Sequence, residues 1–196
     1  MKKGWMVVLA VVGVLALMAF SFTGVYNGLV RKDERVSQAW AQVENVYQRR
    51  LDLIPNLVET VKGYAAHEKS TFVEVTEARS RAAGSLSPAA FNDPQKFQQF
   101  QESQSALSSA LSRLLVVVER YPDLKANENF LSLQAQLEGT ENRIAVERAR
   151  FNEAAQDFNT TLRQFPTNIV GRLFGFGLKQ YFQSAAEAKT APKVQF

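Results

Sequence analysis

Between Trp5 and Val25 the chain runs for 21 residues without a charge. Nothing else in it limits the fold as strongly. Only Ser21 and Thr23 interrupt the apolar stretch. An α-helix of about 20 apolar residues crosses the hydrocarbon core of a bilayer, because it satisfies its own backbone donors and acceptors. The rival is a cleaved signal peptide, whose apolar region is usually about 7–15 residues. Ala19-Phe20-Ser21 offers a weak cleavage signal, and no cysteine follows to make a lipoprotein. Helical sequence resumes at Tyr26 without a polar mature start, so residues 1–25 are read as an uncleaved transmembrane anchor. The amino terminus, Lys2 and Lys3 lie closer to the span than Arg31, Lys32 and Arg35 do. By the positive-inside rule this favours the amino terminus inside and the body outside the cytoplasmic membrane.

Beyond the anchor the pattern is helical. Val36, Trp40, Val43, Tyr47, Ile54, Leu57 and Val61 recur at steps of three and four, or their sums, the signature of an amphipathic helix. The period carries on through Phe72 and Val75 to Ala83. Pro55 removes a backbone donor and predicts a kink or break. Asp93-Pro94 predicts a new start, with Asp93 as the cap and Pro94 at the first helical position. A second helix follows, through Phe97, Phe100, Leu107, Leu111, Leu114 and Val118, and Tyr121-Pro122 stops it. In the third, Phe130, Leu137, Ile144, Phe151, Phe158 and Phe165 stand at every seventh residue, a repeat that implies left-handed packing on a neighbour. The expected fold is all-α: an N-terminal transmembrane helix, then an antiparallel bundle of three to four long, coiled-coil-like helices. The bundle is bounded at 26–187, with residues 188–196 as a flexible tail.

Composition removes several classes of chemistry. With no cysteine there are no thiolate metal sites, iron–sulfur clusters or cysteine nucleophiles. A single histidine, His67, cannot build a site that needs two imidazoles, and His67-Glu68 reads as a helical surface pair rather than a metal or acid–base site. No Gly-rich phosphate loop is present. The net charge of +4 comes from the two ends, since residues 82–165 carry eight basic and ten acidic side chains. The body is therefore no nucleic-acid surface. No catalytic, cofactor-binding or metal-binding residue is assigned, and no cofactor is expected.

The chain resembles the LemA family. The matching words are Tyr26-Asn27, then Arg50-Leu51-Asp52-Leu53-Ile54-Pro55-Asn56-Leu57-Val58, Lys62-Gly63-Tyr64-Ala65-Ala66-His67-Glu68 and Ala78-Arg79-Ser80-Arg81-Ala82. Later come Glu119-Arg120-Tyr121-Pro122, Asn127-Glu128-Asn129-Phe130, Leu137-Glu138-Gly139-Thr140-Glu141-Asn142 and Phe165-Pro166. The resemblance implies a single-pass protein of the bacterial cell membrane with a helical-bundle domain. It brings no catalytic residue and implies a cytoplasmic bundle, opposite to the charge count.

Three candidate surfaces follow. If helix one runs unbroken from Tyr26 to Ala83, it is roughly 87 Å long, and helix two returns only about 40 Å. The membrane-proximal seam of Val36, Trp40, Val43 and Tyr47 would then stand on a bare stalk. That predicts packing against other copies in a homo-oligomer, or else a bend at Pro55 that folds the stalk onto its own bundle or onto the tail. Arg50, Glu141 and Arg148 interrupt apolar seams and either border the core with their heads in water or form a buried polar layer. The remaining asparagines beyond Asn127, a helix cap, read as polar helix faces. Ile169, Leu173, Phe174, Tyr181 and Phe182 either cap the core or make a docking patch for a partner. A basic amphipathic tail could also touch a membrane, but with helix three rising away the tail is expected at the far end and not on its own bilayer. The function that fits is a structural or adaptor module for protein partners of unknown identity. The alternative is an enzyme or ligand-binding bundle with an unrecognised pocket.

Overall fold

The computed structural model describes residues 2–88 and 90–183. They are overwhelmingly helical and contain no strand: α1 (Lys2–Lys62), α2 (Lys69–Gly84), a 3-10 turn at Ala90–Asn92, α3 (Pro94–Val118), α4 (Pro122–Lys125), α5 (Glu128–Arg163) and α6 (Thr167–Leu173). The end of the expected bundle at 187 and the tail 188–196 lie outside the described residues.

The 61 residues of α1 form one helix about 92 Å long. From Gly4 to Gly24 its described side chains are exposed, and Val25 is the first to be partly covered. This apolar segment is long enough to cross a membrane. Helix α1 passes residue 25 without a break, so the apolar segment and the central helix of the bundle are one rod.

The helix continues through Pro55, so the expected break there is corrected. A proline at 55 cannot donate to the carbonyl of Leu51, one turn earlier. Arg79 of α2 supplies the missing donor: its Nε reaches the Leu51 oxygen at 2.8 Å. The cost of the proline is thus offset by a contact that also docks α2 on α1.

Helix α1 ends at Lys62, some 20 residues short of the expected Ala83. The chain reverses through Gly63–Glu68, with Ala65 buried in the turn and its amide bonded to the Val61 carbonyl at 2.9 Å. His67 lies exposed in this turn rather than on a helix. The apolar spacing does not betray the break, because Phe72, Val75, Ala78 and Ala82 of α2 keep the same rhythm on a different helix.

Helix α2 runs back toward the apolar span. The loop beyond it crosses Trp40, whose indole donates to the Ser87 carbonyl at 3.0 Å. Asp93 then caps α3 as expected, accepting from the amides of Gln95 and Lys96. Helix α3 lies antiparallel to α2, pinned by Ser85 on Ser103, Glu74 on Arg113 and Glu68 on Arg120. Asn127 caps α5, accepting from the Phe130 amide at 3.0 Å. Helix α5 descends along the part of α1 that follows the apolar segment, as the pairs Tyr64–Asn127, Arg50–Glu141 and Lys32–Asp157 mark out. The carboxyl end of α5 therefore reaches the end of the bundle nearest the apolar span. The expectation of a tail at the far end is corrected, because the reversal at Gly63–Glu68 adds one more pass.

The core has two parts. The distal one gathers Leu51, Ile54, Leu57, Leu107, Leu114 and Phe130. The proximal one is aromatic: Trp40 lies among Phe91, Phe97, Phe100, Phe151 and Phe182, with ring centroids 5.3–6.1 Å away. The seven-residue stripe of α5 faces these cores from Phe130 to Phe158, with Leu137 partly buried. Phe165 lies past the end of the helix and is 81% exposed.

Candidate functional site

Two features of the span-proximal end are candidates for function: a pole built around α6, and a strap that follows it. Helix α5 ends at Arg163, and Phe165-Pro166 turns the chain into α6. Thr167, Val170 and Gly171 are buried. A side chain at 171 would collide with Leu162, so glycine lets α6 seat directly on α5. With that face packed, Ile169 and Leu173 point outward, joined by Phe165 and Phe174. Arg163 and Arg172 are exposed beside them. Phe174 meets Tyr26 at a centroid distance of 4.6 Å, one residue past the apolar run.

From Phe174 to Gln183 the chain has no regular helix and climbs alongside α1 and α5 as a strap. Two asparagines of α5 read its backbone. Asn159 accepts from the Lys179 amide at 2.8 Å and donates to the Lys179 carbonyl at 2.9 Å. Asn152 treats Phe182 the same way, at 2.8 and 2.9 Å. The Lys179 ammonium is buried between the rings of Phe91 and Phe158, bonded to Asn92 at 2.6 Å and paired with Asp33 at 2.5 Å. Phe182 enters the ring cluster around Trp40, and the Arg148 guanidinium lies over it at 4.7 Å.

These contacts redistribute the expected site residues. Val36, Trp40, Val43 and Tyr47 are all buried within their own chain. The bare stalk is corrected: α5 covers that part of α1, and no bend at Pro55 is needed. An oligomer would have to use another face. Arg50 is buried at the junction of the two cores, bonded to Ser108 at 2.6 Å and paired with the exposed Glu141 at 3.3 Å. Arg148 instead serves the strap, donating to the Gln183 carbonyl at 2.8 Å. Burial raises the Tyr47 phenol above its usual value of 10.0, against the nearby positive charges of Arg148 and Arg50. Of the expected docking patch, Ile169, Leu173 and Phe174 are exposed at the pole, Tyr181 is exposed on the strap with its hydroxyl on Asn159, and Phe182 is core.

Sequence reasoning missed Asn152, Asn159 and Lys179. Asn152 and Asn159 are seven residues apart, each one place after a stripe phenylalanine, and that was the available signal. Among the described residues no three His, Asp or Glu side chains gather as metal ligands would. Surface depressions include one of about 370 Å³ between Lys62, Lys69, Phe72, Val73, Thr76 and Glu77, which is open to solvent.

Comparison with known proteins bears on what this architecture is for. The model of the LemA family matches residues 39–196. Magnetosome protein MamQ 2 of Paramagnetospirillum magneticum is 28% identical, over 93% of this chain and 74% of its own length. Magnetosome protein MamQ of Magnetospirillum gryphiswaldense is 26% identical, over 97% and 77%. Protein LemA of Metamycoplasma hominis is 25% identical, over 81% and 68%.

Proposed function

Because the chain belongs to the LemA family, we propose that it works as a bilayer-anchored helical bundle, a structural or adaptor module for protein partners and not an enzyme. The observation that carries this reading is the continuity of α1 from its exposed apolar segment into the core. A rod of that kind holds the bundle at a fixed height above a membrane. Partners would then meet its surfaces at a set distance from the lipid.

The test is photo-crosslinking of the full chain in its native membranes. Crosslinkers at Val73, Val116, Leu131 and Val146, all exposed on the bundle, sample different faces. Mass spectrometry should identify the same protein from positions on one face, repeatedly. Adducts scattered over all four positions without a common protein would sink the adaptor reading.

We propose the bacterial cell membrane as the location, with the bundle outside the cytoplasm, because Lys2 and Lys3 lie nearest the span. A cytoplasmic bundle is the second reading, favoured by Arg31, Arg163 and Arg172, which the fold brings exposed to the span-proximal end. A carboxyl-terminal alkaline phosphatase fusion is active in the first case and inactive in the second.

A further inference from the structure

We infer that the pole formed by Phe165, Ile169, Leu173 and Phe174 lies in the headgroup layer of the same bilayer that α1 crosses. The inference rests on the anchor reading above. Three observations carry it.

The first is height. Tyr26, which meets Phe174, follows directly on Val25, the last residue of the apolar run. Helix α6 packs near Leu29, since the Cβ position of Gly171 lies 4.0 Å from a methyl of that side chain. Leu29 is four residues beyond Val25, or about 6 Å along the helix axis. A bilayer has a hydrocarbon core about 30 Å thick and is about 40–45 Å thick with its headgroups, so each headgroup layer is roughly 5–8 Å deep. The level of α6 falls inside that layer.

The second is direction. Burial of Thr167, Val170 and Gly171 fixes the rotation of α6, and the opposite face holds Ile169 and Leu173, 51% and 69% exposed. Helix α5 points toward the span, and Phe165, two residues past its end, is 81% exposed. In water these residues would expose apolar surface at one end of the bundle. Interfacial segments of this character bury their apolar face about 5–10 Å into the headgroup and acyl boundary.

The third is charge. Arg163 and Arg172 flank the apolar residues and are exposed, as is Arg31 on α1. Basic side chains around an apolar face suit lipid phosphates, and Tyr26, which meets Phe174, is of the residue type that favours the same layer. The occupant that answers height, direction and charge together is the bilayer itself.

The chain has no cysteine, so single-cysteine variants of the full-length protein are unambiguous reporters. Leu173→Cys probes the pole and Leu15→Cys the span, while Leu131→Cys, at the start of α5, probes the far end. Each is labelled with an environment-sensitive fluorophore and reconstituted in vesicles of phosphatidylcholine and phosphatidylglycerol. Quenchers are carried at shallow or deep positions on the lipid, or dissolved in water as iodide. The label at Leu173 should be quenched by the shallow lipid quencher several-fold more than that at Leu131, and that at Leu15 most by the deep one. Ile169→Cys should repeat the Leu173 result if that variant folds poorly. A Leu173 label quenched no more than Leu131, with Leu15 quenched normally, overturns the docked pole and leaves the anchor standing. If Leu15 is not quenched by lipid either, both fall. A Leu173 label shielded from iodide but untouched by lipid quenchers means that another protein copy covers the pole, and that also overturns the inference.

Discussion

If Arg79 supplies the donor that Pro55 withholds, the two residues must be energetically coupled although they lie on different helices. In the native chain Arg79→Met keeps most of the side-chain stem but removes the bond to the Leu51 carbonyl. Leu51 is 1% exposed, so water is a poor substitute. A hydrogen bond from a charged donor is worth about 1.5–3 kcal/mol. Arg79 is only half-buried, so the lower end applies. In the Pro55→Ala background the alanine amide can bond to Leu51 in the ordinary helical way, and the same Arg79→Met change should cost about 0.5 kcal/mol or less. The coupling is then about 1 kcal/mol, outside the roughly 0.3–0.5 kcal/mol by which independent sites depart from additivity. The assay is thermal unfolding of the four full-length proteins in detergent, followed by circular dichroism. For a chain of this size about 1 kcal/mol shifts Tm by roughly 2–4 °C. Strict additivity would refute the reasoning, since Leu51 would then have no need of Arg79.

Trp40→Ala should cost about 3–5 kcal/mol from the cavity alone, with no dependence on protein concentration; a concentration-dependent loss in the same unfolding measurement would show that this seam joins copies. Tyr47, neutral in the fold with its pKa raised, contributes stability that is present below about pH 10 and lost as pH rises through the raised value, so urea titrations from pH 8 to 11 should fall more steeply for the native chain than for Tyr47→Phe. Asn152→Ala with Asn159→Ala removes the acceptors of the Lys179 and Phe182 amides, and hydrogen exchange there should quicken roughly five-fold or more while α2 and α3 keep their protection. Gly171→Val forces α6 off Leu162, so the Tyr26–Phe174 contact should open; unchanged proteolysis around Phe165 would argue against it.

The stripe of α5 was legible because one helix packs along one partner for most of its length, and seven residues bring a side chain back to nearly the same face. It failed only at Phe165, where the helix had already ended. The helix caps at Asp93 and Asn127 were legible for a local reason, since each needs only its own side chain and the next three residues. Arg50 was ambiguous because its partners, Ser108 and Glu141, come from two other helices, and no spacing within α1 encodes them. The strap asparagines carried only their seven-residue spacing as a signal, and their partners were hidden for the same reason. Asn152 and Asn159 are ordinary polar residues on an amphipathic helix until an extended segment from far along the chain lies over them.

One turn decided most of what went astray. Apolar spacing records which face of a helix is covered, but it carries no sign for the direction in which the helix runs. Residues 36–83 keep a helical rhythm across Gly63–Glu68 because α1 and α2 bury faces toward a common core. Read as one helix, they leave an odd number of long passes, so the tail emerges at the end remote from the span. Read as two, they make four long passes, and the tail returns to it. That single change of parity covers Trp40 with α5, removes the bare stalk, and brings Phe165, Ile169 and Leu173 beside the residues that leave the apolar span. The turn itself is signalled only by Gly63, since Pro55, the stronger breaker, lies inside a continuous helix. A proline is costly where its freed carbonyl stays unpaired, and Arg79 removes that cost from a distance that local reading does not reach.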